Sequence, residues 1–259
     1  MANSNNNIKF KKDSSSIVVL PIEKSIYEQL REIIDLNFDN DEEKYLDMDL
    51  NSYRNKVLEV QNKINNSGYP NVIAKGMLQF LQSYQNNDEI LAQANVYLRA
   101  SRPAKYFDKE SESIGFHREY FYGSGMEYSS NIWVPIRGVT KDNSLRYIPQ
   151  SHEIPIDEVK VIKEPDKYTK KYSSGHTLGF QYSPKKIVEG VDLSKSETLN
   201  CKEGNLAIFS GNLIHGGASN NTERIRFSID FRIINKEYAH LTKKEHSVDG
   251  NKPYFAEII

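Results

Sequence analysis

The residues with the most chemical content are a histidine and a carboxylate two positions apart, His117 and Glu119. Side chains at positions i and i+2 of a strand point to the same face, so a strand over 115–122 would direct both toward one ion. A third ligand must come from elsewhere, and His215 is the best candidate. It follows a strand-like run at 206–210, and the glycines around it allow the backbone to bend close to a metal or ligand.

Two imidazoles and one carboxylate leave three positions of an octahedral ion open. That arrangement suits Fe(II) when the ion must bind a bidentate cosubstrate and then O2. A zinc hydrolase can use the same three ligand types, and the spacing alone does not separate the two metals.

An arginine with a neighbouring hydroxyl follows downstream. Arg226 stands eleven positions after His215, and Ser228 would share its face of a strand. A guanidinium and a hydroxyl together can bind a carboxylate, and burying an arginine inside a barrel makes little sense without an anion to pair it. The distal carboxylate of 2-oxoglutarate is such an anion.

Three charged residues flank this pair on the same predicted strand face. Arg224 points the same way as Arg226 and competes with it for the anion. Asp230 and Arg232 continue the face, where an internal structural ion pair is the favoured interpretation.

At these residues the chain resembles the phytanoyl-CoA dioxygenase superfamily of Fe(II)- and 2-oxoglutarate-dependent oxygenases. The matching pieces, in order, are His117-Arg118-Glu119, 131–136, 143–152, His215 and Arg226-Phe227-Ser228. The resemblance covers about 94–234. It implies a double-stranded β-helix (jelly-roll) core, an iron held by the three candidate ligands, and 2-oxoglutarate and O2 as cosubstrates. It also favours Arg226 over Arg224 as the anchor.

The same resemblance assigns pocket positions on another strand. Asn131 and Trp133 alternate onto one face of the run 130–136, and the family places cofactor-pocket residues there. Trp133 is equally well explained as a core residue.

One residue departs from the family pattern. The family usually has Asp two positions after the first histidine, whereas this chain has Glu119. Because a carboxylate is present, the chain does not look like the related halogenases, which leave that position empty so that halide can bind iron.

The hydrophobic pattern predicts helices first and strands afterwards. Helical spacing covers 22–36, 52–64 and 72–84. Short β-rich runs follow at 94–100, 115–122, 130–136, 145–149, 177–182, 206–210 and 224–234. We therefore expect a mainly β chain with a helical N-terminal part, a jelly-roll or cupin-like core and flanking helices. The predicted organisation is a disordered tail at 1–16 and one domain at 17–259, with helices over about 22–84 and the β-core over about 94–234.

Composition limits the partners. The net charge of -1, from 34 Lys+Arg and 35 Asp+Glu, gives no basic excess for nucleic acid. The single cysteine, Cys201, favours a reducing compartment, and we find neither a membrane span nor a secretory signal, so the chain is predicted to be cytoplasmic. The polar segment 158–174 is predicted to be an exposed insertion or lid.

The predicted activity is hydroxylation of a polar small molecule, such as a sugar-derived or secondary-metabolite intermediate, with release of succinate and CO2. The chain is similar here to oxygenases found with carbohydrate and aminoglycoside biosynthesis. Three alternatives stay open: an amino-acid hydroxylase of the same cofactor class, a metal-dependent hydrolase or isomerase on a cupin-like barrel, and a non-catalytic ligand-binding barrel. The hydrolase would have no use for Arg226 and Ser228, and the intact set of ligands argues against the silent barrel.

Overall fold

The computed structural model describes residues 17–38, 42–106, 114–164, 169–180, 185–244, 246, 248 and 252–259. The predicted tail at 1–16 lies outside these residues. No helix within them combines the length and apolar character needed to cross a membrane.

Helices dominate the first part of the chain. They are α1 (Lys24–Phe38), α2 (Glu43–Leu46), α3 (Leu50–Asn66), α4 (Tyr69–Gly76) and α5 (Leu78–Gln85), with two short ones later, α6 (Ser174–Thr177) and α7 (Lys236–Ala239). In α1 the buried side chains recur every four residues from Ile26 to Phe38, which gives one apolar stripe. The carboxylate of Asp49 caps α3 by accepting from the backbone N–H groups of Asn51 and Ser52.

The rest of the chain is mainly strands. They are β1 (Val18–Pro21), β2 (Ile90–Gln93), β3 (Tyr97–Ser101), β4 (Ser129–Arg137), β5 (Arg146–Tyr147), β6 (Lys160–Lys163), β7 (Lys185–Glu189), β8 (Glu197–Thr198), β9 (Asn205–Ser210), β10 (His215–Gly216), β11 (Arg226–Asn235) and β12 (Phe255–Glu257). A mainly β chain with a helical N-terminal part is thereby confirmed.

Two sheets position the chemistry. The larger has the order β1-β9-β4-β11-β2-β12, with β3 also paired to β11. A smaller sheet has the order β10-β5-β8, and β6 pairs with β7 separately. Strand β11 pairs with β2, β3 and β4, so it lies inside the larger sheet rather than at an edge.

The two faces of β11 have different neighbours. Phe227, Ile229, Phe231 and Ile233 are fully buried in one hydrophobic core with the apolar stripes of α1, α3 and α4. The alternate residues lie on the opposite face, because successive side chains of a strand point to opposite sides. A smaller apolar cluster on that side joins the larger sheet to the smaller one. The helices therefore cover one face of the larger sheet, and the other face is left for polar side chains.

Two predicted strands need correction. The strand predicted over 115–122 is wrong: His117 forms an isolated β-bridge with His215, and a 3-10 helix runs over Glu119–Tyr122. The chain turns there because the N–H of Phe121 donates to the carbonyl of Arg118 at 2.9 Å. Of the strand predicted over 177–182, residues 177–180 follow or end α6, which Ser173 caps, and 181–182 lie outside the described residues.

The remaining differences concern boundaries. The helix predicted over 72–84 is two helices that meet at Met77, whose φ of -116° departs from helical geometry. Strands β1, β2 and β12 are too short to give a periodic signal and were not predicted. The segment 158–174 contains strand β6, paired with β7, and so is not wholly irregular.

Candidate metal centre and cosubstrate pocket

Two backbone segments bring the two histidines together. The N–H of His117 donates to the carbonyl of His215 at 2.8 Å, and the reverse bond is 2.9 Å. A Cβ on Gly216 would lie 3.0 Å from the backbone nitrogen of Phe116, which is tighter than most Cβ contacts, so the close approach of these segments favours a glycine there. The glycine beside the second histidine thus serves the contact between the two backbones.

Hydrogen bonds fix the tautomer of both imidazoles. Nδ1 of His117 lies 2.8 Å from the carbonyl oxygen of Gly115, and Nδ1 of His215 lies 2.8 Å from that of Leu213. A carbonyl oxygen only accepts, so each Nδ1 carries the proton and each Nε2 presents a lone pair. Burial, and then the neighbouring His215, lower the pKa of His117 to about 3. Burial also lowers the pKa of His215, and both rings are therefore neutral, as metal ligands must be.

Glu119 completes a buried group of three. Its Oε1 lies 3.9 Å from Nε2 of His117 and 3.7 Å from Nε2 of His215. One donor atom from each residue lies within 4.8 Å of the others, and the Glu119 side chain is 1% exposed. Although Glu119 begins a 3-10 helix, Arg118 before it is extended, with φ -122° and ψ 159°. The i, i+2 direction expected of a strand therefore persists up to the carboxylate.

Arg232, which the sequence analysis did not assign to this site, binds the carboxylate of Glu119. Nε of Arg232 donates to Oε2 of Glu119 at 2.9 Å, and Nη2 donates to Oε1 at 3.2 Å. Burial alone would raise the pKa of Glu119, but the Arg232 guanidinium and the two imidazoles lower it on balance. Glu119 is therefore a carboxylate, held by a bidentate pair.

Further ion pairs extend from Arg232 away from the histidines. Nη1 of Arg232 donates to Oδ2 of Asp230 at 3.2 Å, as the predicted internal ion pair requires. Asp230 also accepts from Nε and Nη2 of Arg99, at 2.6 and 3.2 Å. Four alternating charges thus run from Glu119 to Arg99. No sequence signal identifies the link between Arg232 and Glu119, because the two residues are 113 positions apart.

Arg226 and Ser228 lie on the same face of β11 as Asp230 and Arg232, but their hydrogen bonding is different. Arg226 is 6% exposed and Ser228 is 0% exposed. Within the described residues, Nε of Arg226 and the hydroxyl of Ser228 are buried without a hydrogen-bond partner. Burial, and then Arg99, lower the pKa of Arg226 to about 10. The competing residue, Arg224, lies outside β11 with its side chain 67% exposed and forms an ion pair with Glu42.

One cavity connects the histidines to Arg226. Its walls include His117, His215 and Arg226 together with both pocket residues that the sequence proposed, Asn131 and Trp133. Nδ2 of Asn131 is buried there without a partner among the described residues. Trp133 is 2% exposed and belongs to the apolar cluster between the sheets, so it is a core residue that also lines the cavity.

The residues present fit the cofactors that the sequence implies. Two neutral imidazoles with free Nε2 lone pairs and one ionised carboxylate form a donor set for a divalent cation. The Arg226 guanidinium lies on the wall of that cavity, and its buried Nε has no hydrogen-bond partner among the described residues, so it matches a carboxylate ligand. The buried Ser228 hydroxyl lies on the same face of β11 two positions further along.

Other histidines and the single cysteine lie apart from this set. The side chain of His152 is 18% exposed and lies near Glu153, and His240 is exposed. Burial raises the pKa of the Cys201 thiol to about 12, which makes it inert at neutral pH. His176 is half-buried on the wall of a second cavity, described below.

Comparison with known proteins identifies the family and related folds. The sequence profile of the phytanoyl-CoA dioxygenase family matches residues 30–228, more than half of the chain. No curated protein sequence matches significantly. Among solved structures, the chain is similar to EvdO2 from Micromonospora carbonacea var. aurantiaca in complex with 2-oxoglutarate: TM-score 0.55, 12% identity, covering 86% of this chain and 87% of that one. It is also similar to the apo form of the non-haem monooxygenase ThoJ: TM-score 0.51, 13% identity, covering 86% of this chain and 75% of that one. At these identities the structures support a shared fold.

Proposed function

Since the chain belongs to the phytanoyl-CoA dioxygenase family and is a 2-oxoglutarate-dependent non-haem iron dioxygenase, we propose that His117, Glu119 and His215 hold its iron. The cofactors are Fe(II), 2-oxoglutarate and O2. The family assignment leaves no support for a hydrolase, an isomerase or a non-catalytic barrel.

The protein prepares the three ligands before iron binds. Hydrogen bonds to backbone carbonyls orient both imidazoles with Nε2 toward Glu119, and Arg232 fixes the plane of the carboxylate. Partners of this kind orient metal ligands and tune their basicity. When bound, the iron supplies the O2 activation that couples oxidative decarboxylation of 2-oxoglutarate to oxidation of the substrate, with succinate and CO2 released.

Arg226 and Ser228 bind the distal carboxylate of 2-oxoglutarate in this proposal. The observation that carries it is the buried guanidinium whose Nε has no partner within the described residues. An unpaired buried charge is costly, and a carboxylate on Arg226 would remove that cost.

The proposed core is a double-stranded β-helix. The cavity is walled by residues of the larger sheet, such as Asn131 and Arg226, and of the smaller sheet, such as His215. Facing sheets with a ligand site between them are the arrangement that a jelly roll provides.

The proposed reaction is hydroxylation of a polar small molecule, for example a sugar-derived or secondary-metabolite intermediate. The cavity supports this because aromatic side chains such as Tyr53 and Phe180 line it together with the guanidinium groups of Arg54 and Arg99. Such a lining combines apolar contact with a few hydrogen-bonding groups, as pockets for small polar ligands do. Water is excluded from the histidines by burial, and both are 5% exposed.

Anaerobic reconstitution tests the proposal. Fe(II) and 2-oxoglutarate are added to the purified chain, and the weak visible charge-transfer band of their chelate is recorded. We expect the band in the wild-type protein and its loss, together with loss of bound iron, in His117→Ala and His215→Ala. His240→Ala is the matched control, because this histidine is exposed and away from the cavity. A full band in either ligand variant would show that the three residues are misassigned.

A further inference from the structure

A second cavity adjoins the one that contains the histidines. It is lined by aromatic side chains, Tyr97, Phe121, Tyr122, Phe180 and Tyr254, and by basic ones, His176, Lys185, Arg232, Lys244 and His246. Phe180 and Arg232 line both cavities. Because Arg232 is hydrogen-bonded to Glu119, the second cavity begins one side chain away from the proposed iron ligand.

The ionisable side chains that the described residues place on its walls, apart from the tyrosines, are all basic. Among the described residues that line this cavity there are five basic side chains and no acidic one. Arg232 is already paired with Glu119 and Asp230. The ammonium groups of Lys185 and Lys244 form no ion pair or hydrogen bond with any described residue; each lies over an aromatic ring, at 5.5 Å from Phe121 and 5.8 Å from Tyr254.

The position of Lys185 is unusual for a lysine without a partner. Alternation along β7 places Lys185 on the same side as Ile187, which is 5% exposed, whereas Lys186 and Val188 are exposed. A lysine on the inner face of a strand is normally paired, since burial penalises the charged form. Burial, and then Lys163, lower the pKa of Lys185.

Lys244 comes from another part of the chain, and its environment is similar to that of Lys185. It is half-buried, and burial followed by the guanidinium of Arg232 lowers its pKa. His176 adds a neutral ring: its Nδ1 accepts from the N–H of Tyr172 at 2.9 Å, so its proton is on Nε2. The wall therefore offers two ammonium groups beside a neutral imidazole.

We propose that this second cavity binds an anionic group of the substrate, a phosphate, sulfate or carboxylate attached to a ring, through Lys185 and Lys244. The aromatic walls contact the ring, and the part of the molecule to be oxidised extends past Phe180 into the cavity of the histidines. This substrate class rests on the proposed function, but the anion site itself does not need iron.

The anion is not the distal carboxylate of 2-oxoglutarate. That carboxylate is assigned to Arg226, which lines the first cavity and not the second. Two separate sets of cations, one for the cosubstrate and one for the substrate, allow both to be bound at once.

Phenyl phosphate, inorganic phosphate and uncharged benzyl alcohol are suitable probes. Each is titrated calorimetrically, under anaerobic conditions, into the enzyme loaded with Fe(II) and 2-oxoglutarate. We expect phenyl phosphate to bind more tightly than either other probe, because it uses both the cations and the aromatic walls. Lys185→Met and Lys244→Met should each weaken phenyl phosphate by about tenfold or more, since a hydrogen-bonded charge is removed while the aliphatic chain is kept.

The chain offers matched controls for both variants. Lys186→Met and Lys243→Met remove exposed lysines next to the two proposed residues and should leave phenyl phosphate affinity unchanged. The affinity for 2-oxoglutarate should be the same in all four variants.

Equal affinity for phenyl phosphate and benzyl alcohol, or equal weakening by the control variants, would overturn the proposal. So would displacement of phenyl phosphate by excess 2-oxoglutarate. If the wild-type chain binds no iron or 2-oxoglutarate but binds phenyl phosphate through the two lysines, the proposed function falls and the anion site stands.

Discussion

Strand β11 carries two buried arginines on the same face, Arg226 and Arg232, and their surroundings are opposite. Arg232 is bound to Glu119 through both carboxylate oxygens and to Asp230, and these carboxylates, first among them Glu119, outweigh burial and raise its pKa well above the usual value. Arg226 has a lowered pKa, and its buried Nε has no partner among the described residues.

The difference separates two uses of the same side chain. A guanidinium whose partners are already in place holds a protein group in position, whereas one without them is ready for a ligand. Both side chains are buried on the same face of β11, so burial and face do not distinguish the two; only the partners do. On this basis Arg232 positions the proposed iron ligand, and Arg226 positions the cosubstrate.

The largest effect should come from removing the arginine that has partners. Arg232→Met leaves Glu119 buried without its counter-charge, which should destabilise the metal-free protein by about 3–5 kcal/mol. Added Fe(II) or Mn(II) should restore much of this loss, because the ion supplies the missing positive charge. Thermal or urea unfolding with and without metal measures both effects.

Arg226→Met is the control within the same strand face. It removes a charge that has no protein partner at Nε, so the free energy of unfolding of the metal-free protein should stay the same or rise slightly. Destabilisation equal to that of Arg232→Met would erase the contrast between the two arginines.

The second effect concerns 2-oxoglutarate. Arg226→Met should weaken its binding by about 2–5 kcal/mol, because one partner of a buried charge pair is lost, and should leave the affinity for the metal nearly unchanged. Isothermal titration of 2-oxoglutarate into the Mn(II)-loaded protein measures this. Arg224→Met removes an exposed arginine of the same segment and should have no measurable effect. Reversal of this order would move the anchor to Arg224.

The sequence predicted some of this arrangement and could not have predicted the rest. Alternation along 224–234 and 130–136 placed the polar residues on one face, since a strand has a fixed period. The spacing of His117 and Glu119 anticipated their convergence even though the local structure is a 3-10 turn rather than a strand.

The features that the sequence did not predict depend on contacts between distant segments. Glu119 contacts Arg232 only after two distant segments fold together. In the same way, Lys185 and Lys244 line one cavity although they lie far apart in the sequence. A local sequence pattern does not indicate which distant residues will form such pairs. Short strands such as β1 and β12 were missed for a related reason, because their pairing with β9 and β2, rather than their own sequence, makes them strands.

A third effect tests how closely the carboxylate is fitted to its two partners. Glu119→Asp keeps the charge but shortens the arm by one methylene, so the carboxylate cannot reach both Arg232 and the proposed iron position equally well. A displacement of about 1 Å can cost roughly a hundredfold in rate. We expect lower iron content and more succinate formed per oxidised product. Glu153→Asp, at an exposed carboxylate, is the control. Unchanged iron content and coupling would mean that the backbone accommodates either length.

The smallest effect should come from the hydroxyl beside Arg226. Ser228 is fully buried, and its Oγ has no hydrogen-bond partner within the described residues, so the folded protein loses no hydrogen bond when the oxygen is removed. Ser228→Ala should therefore leave the free energy of unfolding unchanged or slightly increased.

The 2-oxoglutarate complex of Ser228→Ala, by contrast, should lose one hydrogen bond to a charged carboxylate. That bond is worth about 1.5–3 kcal/mol at most and less if water replaces it. We expect an affinity for 2-oxoglutarate between that of the wild type and that of Arg226→Met, measured by the same titration. Ser130→Ala is a suitable control, because the Ser130 hydroxyl already accepts a hydrogen bond from Gln85 at 2.8 Å and is not next to Arg226 on β11. Wild-type affinity in Ser228→Ala would leave Arg226 as the sole anchor and remove the hydroxyl from the proposed site.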